Sequence, residues 1–89
     1  MPLFRQNTNK KQTGTLKFYS KAQQYGFIIK DSDAQDIFFH FSDVDLDTVN
    51  FDAEQQLFKP YQRFQFIELK YIDKKKRQSR KAINIQFIN

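Results

Sequence analysis

Tyr25-Gly26-Phe27-Ile28 and Ile37-Phe38-Phe39-His40-Phe41 are the two apolar runs that decide how this chain folds. Strand residues alternate between faces, so Tyr25 and Phe27 share one side of the first run and Ile28 lies opposite. In the second run Phe38 and His40 share a side, with Ile37 and Phe39 opposite. The polar stretch Asp31-Ser32-Asp33-Ala34-Gln35 between them suits a hairpin turn. Pairing the runs as antiparallel neighbours places Tyr25, Phe27, Phe38 and His40 together on one face and turns Ile28, Ile37 and Phe39 toward a core.

Working outward, further strand signals rich in aromatic and β-branched residues occupy 15–19, 63–71 and 81–88. With 25–30 and 36–41 they make five strands and an all-β domain over 14–89. Residues 1–13, with Arg5, Lys10 and Lys11 and no periodic apolar pattern, read as a flexible basic arm. A long connection follows the third strand. It carries Asp43, Asp45, Asp47, Asp52 and Glu54 with no basic residue before Lys59, and a short helical turn over 52–57 capped by Asp52 is expected within it. These carboxylates lack the Gly and terminal Glu spacing of a calcium loop. Between the last two strands, residues 73–81 form a charged loop with Lys74, Lys75, Lys76, Arg77, Arg80 and Lys81.

Composition narrows the function classes. The chain has 89 residues, enough for one small domain. It has no Cys and a single His, so disulfides, thiolate zinc sites and multi-histidine sites are excluded, and no cofactor is expected. With no second His, no Cys and no nearby Ser, His40 has no triad to assemble, and no glycine-rich phosphate loop is present, so catalytic residues are not expected. No segment approaches the roughly 20 apolar residues that span a bilayer, and the N-terminus has no apolar leader, so a cytoplasmic location is expected, or a nuclear one in a eukaryote. A net charge of +5 favours an acidic partner, nucleic acid first. Eleven Phe and four Tyr without a Trp exceed what so small a core requires, which puts some rings at the surface. Rings displayed on a strand pair make a stacking platform, on which each base contributes about 1–3 kcal/mol whatever its identity. Gly26, having no side chain, is expected to leave open space between Tyr25 and Phe27 for a base.

At these residues the chain resembles the cold-shock domains, small five-stranded OB-fold barrels that bind single-stranded DNA and RNA. Gly14-Thr15-Leu16-Lys17-Phe18-Tyr19 is similar to the family's opening Gly-x-Val-Lys-Trp-Phe. Tyr25-Gly26-Phe27-Ile28 resembles its first ribonucleoprotein motif, and Asp36-Ile37-Phe38-Phe39-His40-Phe41-Ser42 its second, Asp-Val-Phe-Val-His-Phe-Ser. Ala82-Ile83-Asn84-Ile85 resembles the Ala-x-Asn-Val of the last strand. The resemblance implies an antiparallel OB-fold barrel with the long acidic loop between strands 3 and 4. It also implies that Phe18, Tyr25, Phe27, Phe38, His40 and Phe41 stack bases, that Lys17 meets a phosphate or base edge, and that Asp36 accepts hydrogen bonds from a base. Phe58 looks like the loop aromatic that extends the platform.

The departures bear on strength. Phe18 stands where the family has Trp, Gln23-Gln24 replaces Lys-Gly, and the Gly-Pro before the last strand is absent, with Arg77-Gln78-Ser79-Arg80-Lys81 in its place. A weaker binder than the family pattern is expected, with Lys74, Lys75, Lys76, Arg77 and Arg80 available to phosphates. The expected activity is non-enzymatic binding of single-stranded RNA or DNA with low sequence specificity, by a monomer or by one domain of a longer chain. A protein-interaction module using the same aromatic surface is the alternative.

Overall fold

Period-two alternation dominates the chain, and the backbone follows it. The computed structural model, whose described residues are 10–48 and 58–88, forms β1 (Lys11–Ser20), β2 (Tyr25–Lys30), β3 (Asp36–His40), β4 (Arg63–Ile72) and β5 (Gln78–Ile88). The strands close into a barrel in the order β1-β2-β3-β5-β4, and β4 pairs back onto β1. This is the expected five-stranded all-β barrel. The β3–β5 seam differs from a wholly antiparallel sheet, because those two strands run parallel, with Phe38 opposite Lys81. The long connection after β3 carries the chain over to pair β4 with β1, so β5 returns beside β3 in the same direction. A second parallel bridge, Val44 to Ile85, continues that seam.

Inward positions meet in one core of Ile28, Ile37, Phe39, Val44, Phe64, Phe66, Ala82 and Ile85, bordered by Leu16, Tyr19, Phe41, Phe58 and Phe87. The expected inside and outside of β2 and β3 are observed: Ile28, Ile37 and Phe39 are buried, while Tyr25, Phe27, Phe38 and His40 are only partly so. Gly14 and Gly26 both lie on the inner face. A Cβ on Gly14 would collide with Ile28 and the Ile29 carbonyl, which explains a glycine where β1 bends over β2.

Two β-bulges set which residues face the core. In β1, Leu16 pairs Ile28 and Phe18 pairs Phe27, leaving Lys17 as an extra residue. In β5, Ile83 pairs Ile67 and Gln86 pairs Gln65, so Asn84 and Ile85 together oppose Phe66. Asn84 there has a φ of 50°, a left-handed conformation that Asn adopts more readily than most residues. This bulge lets Ala82 and Ile85 both point inward.

Several boundaries differ from the sequence reading. β1 begins at Lys11, because Lys11, Gln12 and Thr13 pair with Ile67, Phe66 and Gln65 of β4, so residues 11–13 are strand rather than arm; the Gln12 and Thr13 side chains add bonds to Glu68 and Asp31. β3 stops at His40, whose ring caps a 3-10 turn, Phe41–Asp43, followed by a second at Leu46–Thr48. β5 starts at Gln78, placing Arg80 and Lys81 on a strand. Residues 1–9 and the helical turn expected at 52–57 lie outside the described residues.

One polar cluster enters the barrel. The Lys30 side chain, 4% exposed, sits 3.1 Å from Glu68 Oε1 and 3.2 Å from Asp33. Glu68 also accepts from Gln12 and Arg80. Burial acts to raise the Glu68 carboxyl, but donation from Lys30, Gln12 and Arg80 outweighs it and holds the group below its ordinary value.

Candidate nucleic-acid interface

The outer face of β1, β2 and β3 gathers four rings. Tyr25 and Phe38 lie 5.7 Å apart with planes 30° from parallel, and Phe27 meets both edge-on, at 6.0 Å from Tyr25 and 5.9 Å from Phe38. Phe18 joins through Tyr25 at 6.2 Å and is 48% exposed. Its place depends on the Lys17 bulge. Gly14 and Leu16 point inward, so strict alternation would send Phe18 inward too; the extra residue turns Lys17 and Phe18 both outward and returns Tyr19 to the core, where it stacks on Phe39.

His40 pairs Tyr25 across β2 and β3 and so borders the rings. Its Nδ1 accepts from the Ser42 backbone N–H at 3.0 Å and lies 2.9 Å from Ser42 Oγ, which leaves the proton of the neutral ring on Nε2, facing away from the cap. Ser42 therefore does sit beside the histidine, contrary to the sequence reading. The two-residue spacing makes the contact a cap, and among the described residues no carboxylate completes a triad. Lys17 and Asp36, both expected to meet nucleic acid, are paired with each other at 2.6 Å and remain exposed.

Phe41 and Phe58 are not brought to this cluster. Phe58 stacks on Tyr19 at 3.9 Å and touches Phe39, Phe64 and Phe87, closing one end of the barrel. Phe41 meets Phe58 at 6.2 Å and packs on the same core, because the 3-10 turn after His40 rotates it off the outer face. Gly26 does not open space for a base either. It alternates with Tyr25 and Phe27 and so faces inward, where a Cβ would strike the Phe18 carbonyl and the Phe39 ring.

The basic residues divide. Lys74, Lys75, Lys76 and Arg77 occupy the exposed β4–β5 turn. Asp73 organises that turn by accepting from the Arg77 and Lys75 N–H groups, the Ser79 hydroxyl and the Arg77 side chain. The Arg77 backbone bond leads in holding the Asp73 carboxyl below its usual range. Arg80 instead follows the inner face of β5 and lies 3.2 Å from Glu68. Lys81, which sequence reasoning put in the charged loop but not among the phosphate contacts, joins Lys17 beside the rings, opposite Phe38 and 3.4 Å from Asp43 Oδ2. Counting alternately outward from the buried Ala82 would have found it.

The family model described as the 'Cold-shock' DNA-binding domain matches residues 12–87 of the 89. No curated protein matches the chain at a significant level.

Proposed function

Because the chain belongs to the 'cold-shock' DNA-binding domain family, whose fold binds nucleic acid, we propose that it binds single-stranded RNA or DNA by stacking bases on Phe18, Tyr25, Phe27 and Phe38. The observation that carries this reading is the contiguity of those four rings on the outer face, each within 6.2 Å of a neighbour. A duplex hides base faces within its own stack, whereas a single strand offers them, so a ring platform selects unpaired segments. Stacking accepts any base, and sequence preference is accordingly low. His40 borders the platform, Lys17 and the Lys74–Arg77 turn supply phosphate contacts, and no catalytic step is involved. The cellular consequence is that strands are kept open, an RNA-chaperone-like or regulatory role.

Titration of oligothymidylate at low salt tests this. Stacking on Tyr25 quenches tyrosine emission, and Tyr25→Phe removes much of that signal while keeping the binding, since the ring remains. Absence of binding at low salt would overturn the reading.

A further inference from the structure

We infer that the platform does not end at β3 but continues onto the outer face of the β4–β5 hairpin, where Tyr71, with Leu69 and Lys81, forms a further stacking subsite for the same single strand. This rests on the proposed single-strand binding. Residues paired across a ladder point to the same side of a sheet. Phe38 faces outward and pairs Lys81; Lys81 pairs Leu69; and Tyr71 pairs Ser79. The outer face therefore runs unbroken from Phe38 through Lys81 to Leu69 and Tyr71. Leu69 lies two strand spacings from Phe38, about 10 Å.

The chemistry of this strip matches that of the platform. Leu69 and Tyr71 are 39% and 37% exposed, although both are large apolar side chains. The Lys81 ammonium lies 6.0 Å from the centre of the Tyr71 ring and 3.4 Å from Asp43 Oδ2, so it steadies the ring while paired with a carboxylate, and the phosphate-facing charge of the strip comes chiefly from the turn beyond. Beyond Tyr71 lies the basic turn Lys74–Arg77. An aromatic ring close to a basic turn and on the same sheet face as other rings suits a polyanion bearing flat bases better than it suits a neutral protein surface. Ile72 lies on the opposite face of the ribbon, which it shares with Lys70 and Arg80 and not with the rings.

Oligothymidylates of about four and about eight nucleotides, within the range one such barrel accommodates, separate this inference from the reading it rests on. The wild-type chain should bind the longer one more tightly. Tyr71→Ala and Tyr71→Leu should each reduce affinity for it by about 5- to 20-fold. Both should bind the shorter oligomer as the wild type does, which also shows that they fold, and Ile72→Ser should leave both affinities unchanged. Failure of the wild type to bind either oligomer removes the single-strand reading and this subsite with it. Normal binding of the short oligomer with no gain on lengthening overturns the subsite alone. So does a gain that survives in both Tyr71 variants, or self-association that Tyr71→Ala abolishes in place of a length effect.

Discussion

The Lys17 ammonium lies 2.6 Å from the Asp36 carboxylate, tying β1 to β3 across β2 at the border of the ring cluster. Both side chains stay substantially exposed, so the pair adds little to stability. It does alter what the platform offers a polyanion, because a lysine held by a carboxylate presents less positive charge to a phosphate.

Asp36→Asn should therefore release Lys17 and tighten oligothymidylate binding about two- to fivefold at low salt. The dependence of log affinity on log salt should steepen by about 0.7 as one phosphate contact is added. Binding isotherms at four or five salt concentrations check both values. A loss of affinity with an unchanged slope would instead assign Asp36 to accepting hydrogen bonds from a base.

Neighbouring phenylalanines on β3 should separate binding from stability. Phe38 faces outward among the rings, and Phe38→Ala should weaken binding by about 1–3 kcal/mol with the fold intact. Phe39 is fully buried, and Phe39→Ala should cost about 3–5 kcal/mol of stability, enough to unfold a small domain. Phe58 belongs with Phe39, since its ring lies against Tyr19, Phe39, Phe64 and Phe87. Phe58→Ala should lower the denaturation midpoint. Circular dichroism with urea, run beside binding, distinguishes the classes.

The faces of β2 and β3 were legible because nothing interrupts their alternation: Ile28, Ile37 and Phe39 are inside, and Tyr25, Phe27, Phe38 and His40 outside. Where the ladder gains a residue, counting by twos fails. The bulge at Lys17 puts Phe18 outside, a position that only the family resemblance implied, and the bulge at Asn84 turns Ile85 inward. Gly26 was misread because a missing side chain suggests space. Here the space is already filled by the Phe39 ring and the Phe18 carbonyl. Phe41 and Phe58 went to the core because a barrel of this size has an open end that two rings can close, a demand set by tertiary closure and not by local pattern. Arg80 and Lys81 looked alike in a charged run, yet β5 starts early enough to send them to opposite faces. The Lys30–Glu68 pair inside the barrel has no local signature, since its partners are 38 residues apart.

Gln24 closes the turn between β1 and β2 with a φ of 60°, its N–H donating to the Ser20 carbonyl at 2.7 Å. A side chain in this left-handed region costs about 1 kcal/mol that glycine avoids, which explains the Gly of the family pattern at this position. Gln24→Gly should raise stability by up to about 0.5 kcal/mol, after allowance for the greater freedom glycine gives the unfolded chain. The same change at Asn84, φ 50°, should gain less, because Asn tolerates the conformation. Comparing the urea midpoints of the two variants checks the order.

Asp31 and Arg63 form a two-pronged pair, Nη1 to Oδ1 at 2.8 Å and Nη2 to Oδ2 at 2.6 Å, with the Thr13 hydroxyl adding a third donor. The Arg63 hydrogen bonds, then that of Thr13, lower the Asp31 carboxyl to about 2. The folded state thus holds the charged form more firmly than the unfolded state does. Its contribution is complete above the ordinary carboxylate value near 4 and is lost as pH falls toward 2. Because the pair is well exposed, that contribution should be no more than about 1 kcal/mol. Urea denaturation of the wild type and Asp31→Asn should show the variant less stable at neutral pH. The difference should narrow below about pH 4 and close near pH 2. Other depressed carboxylates, Glu68 and Asp73 among them, titrate in both proteins and cancel in the comparison. A difference unchanged down to pH 2 would mean that Asp31 acts through its shape alone and not through its charge.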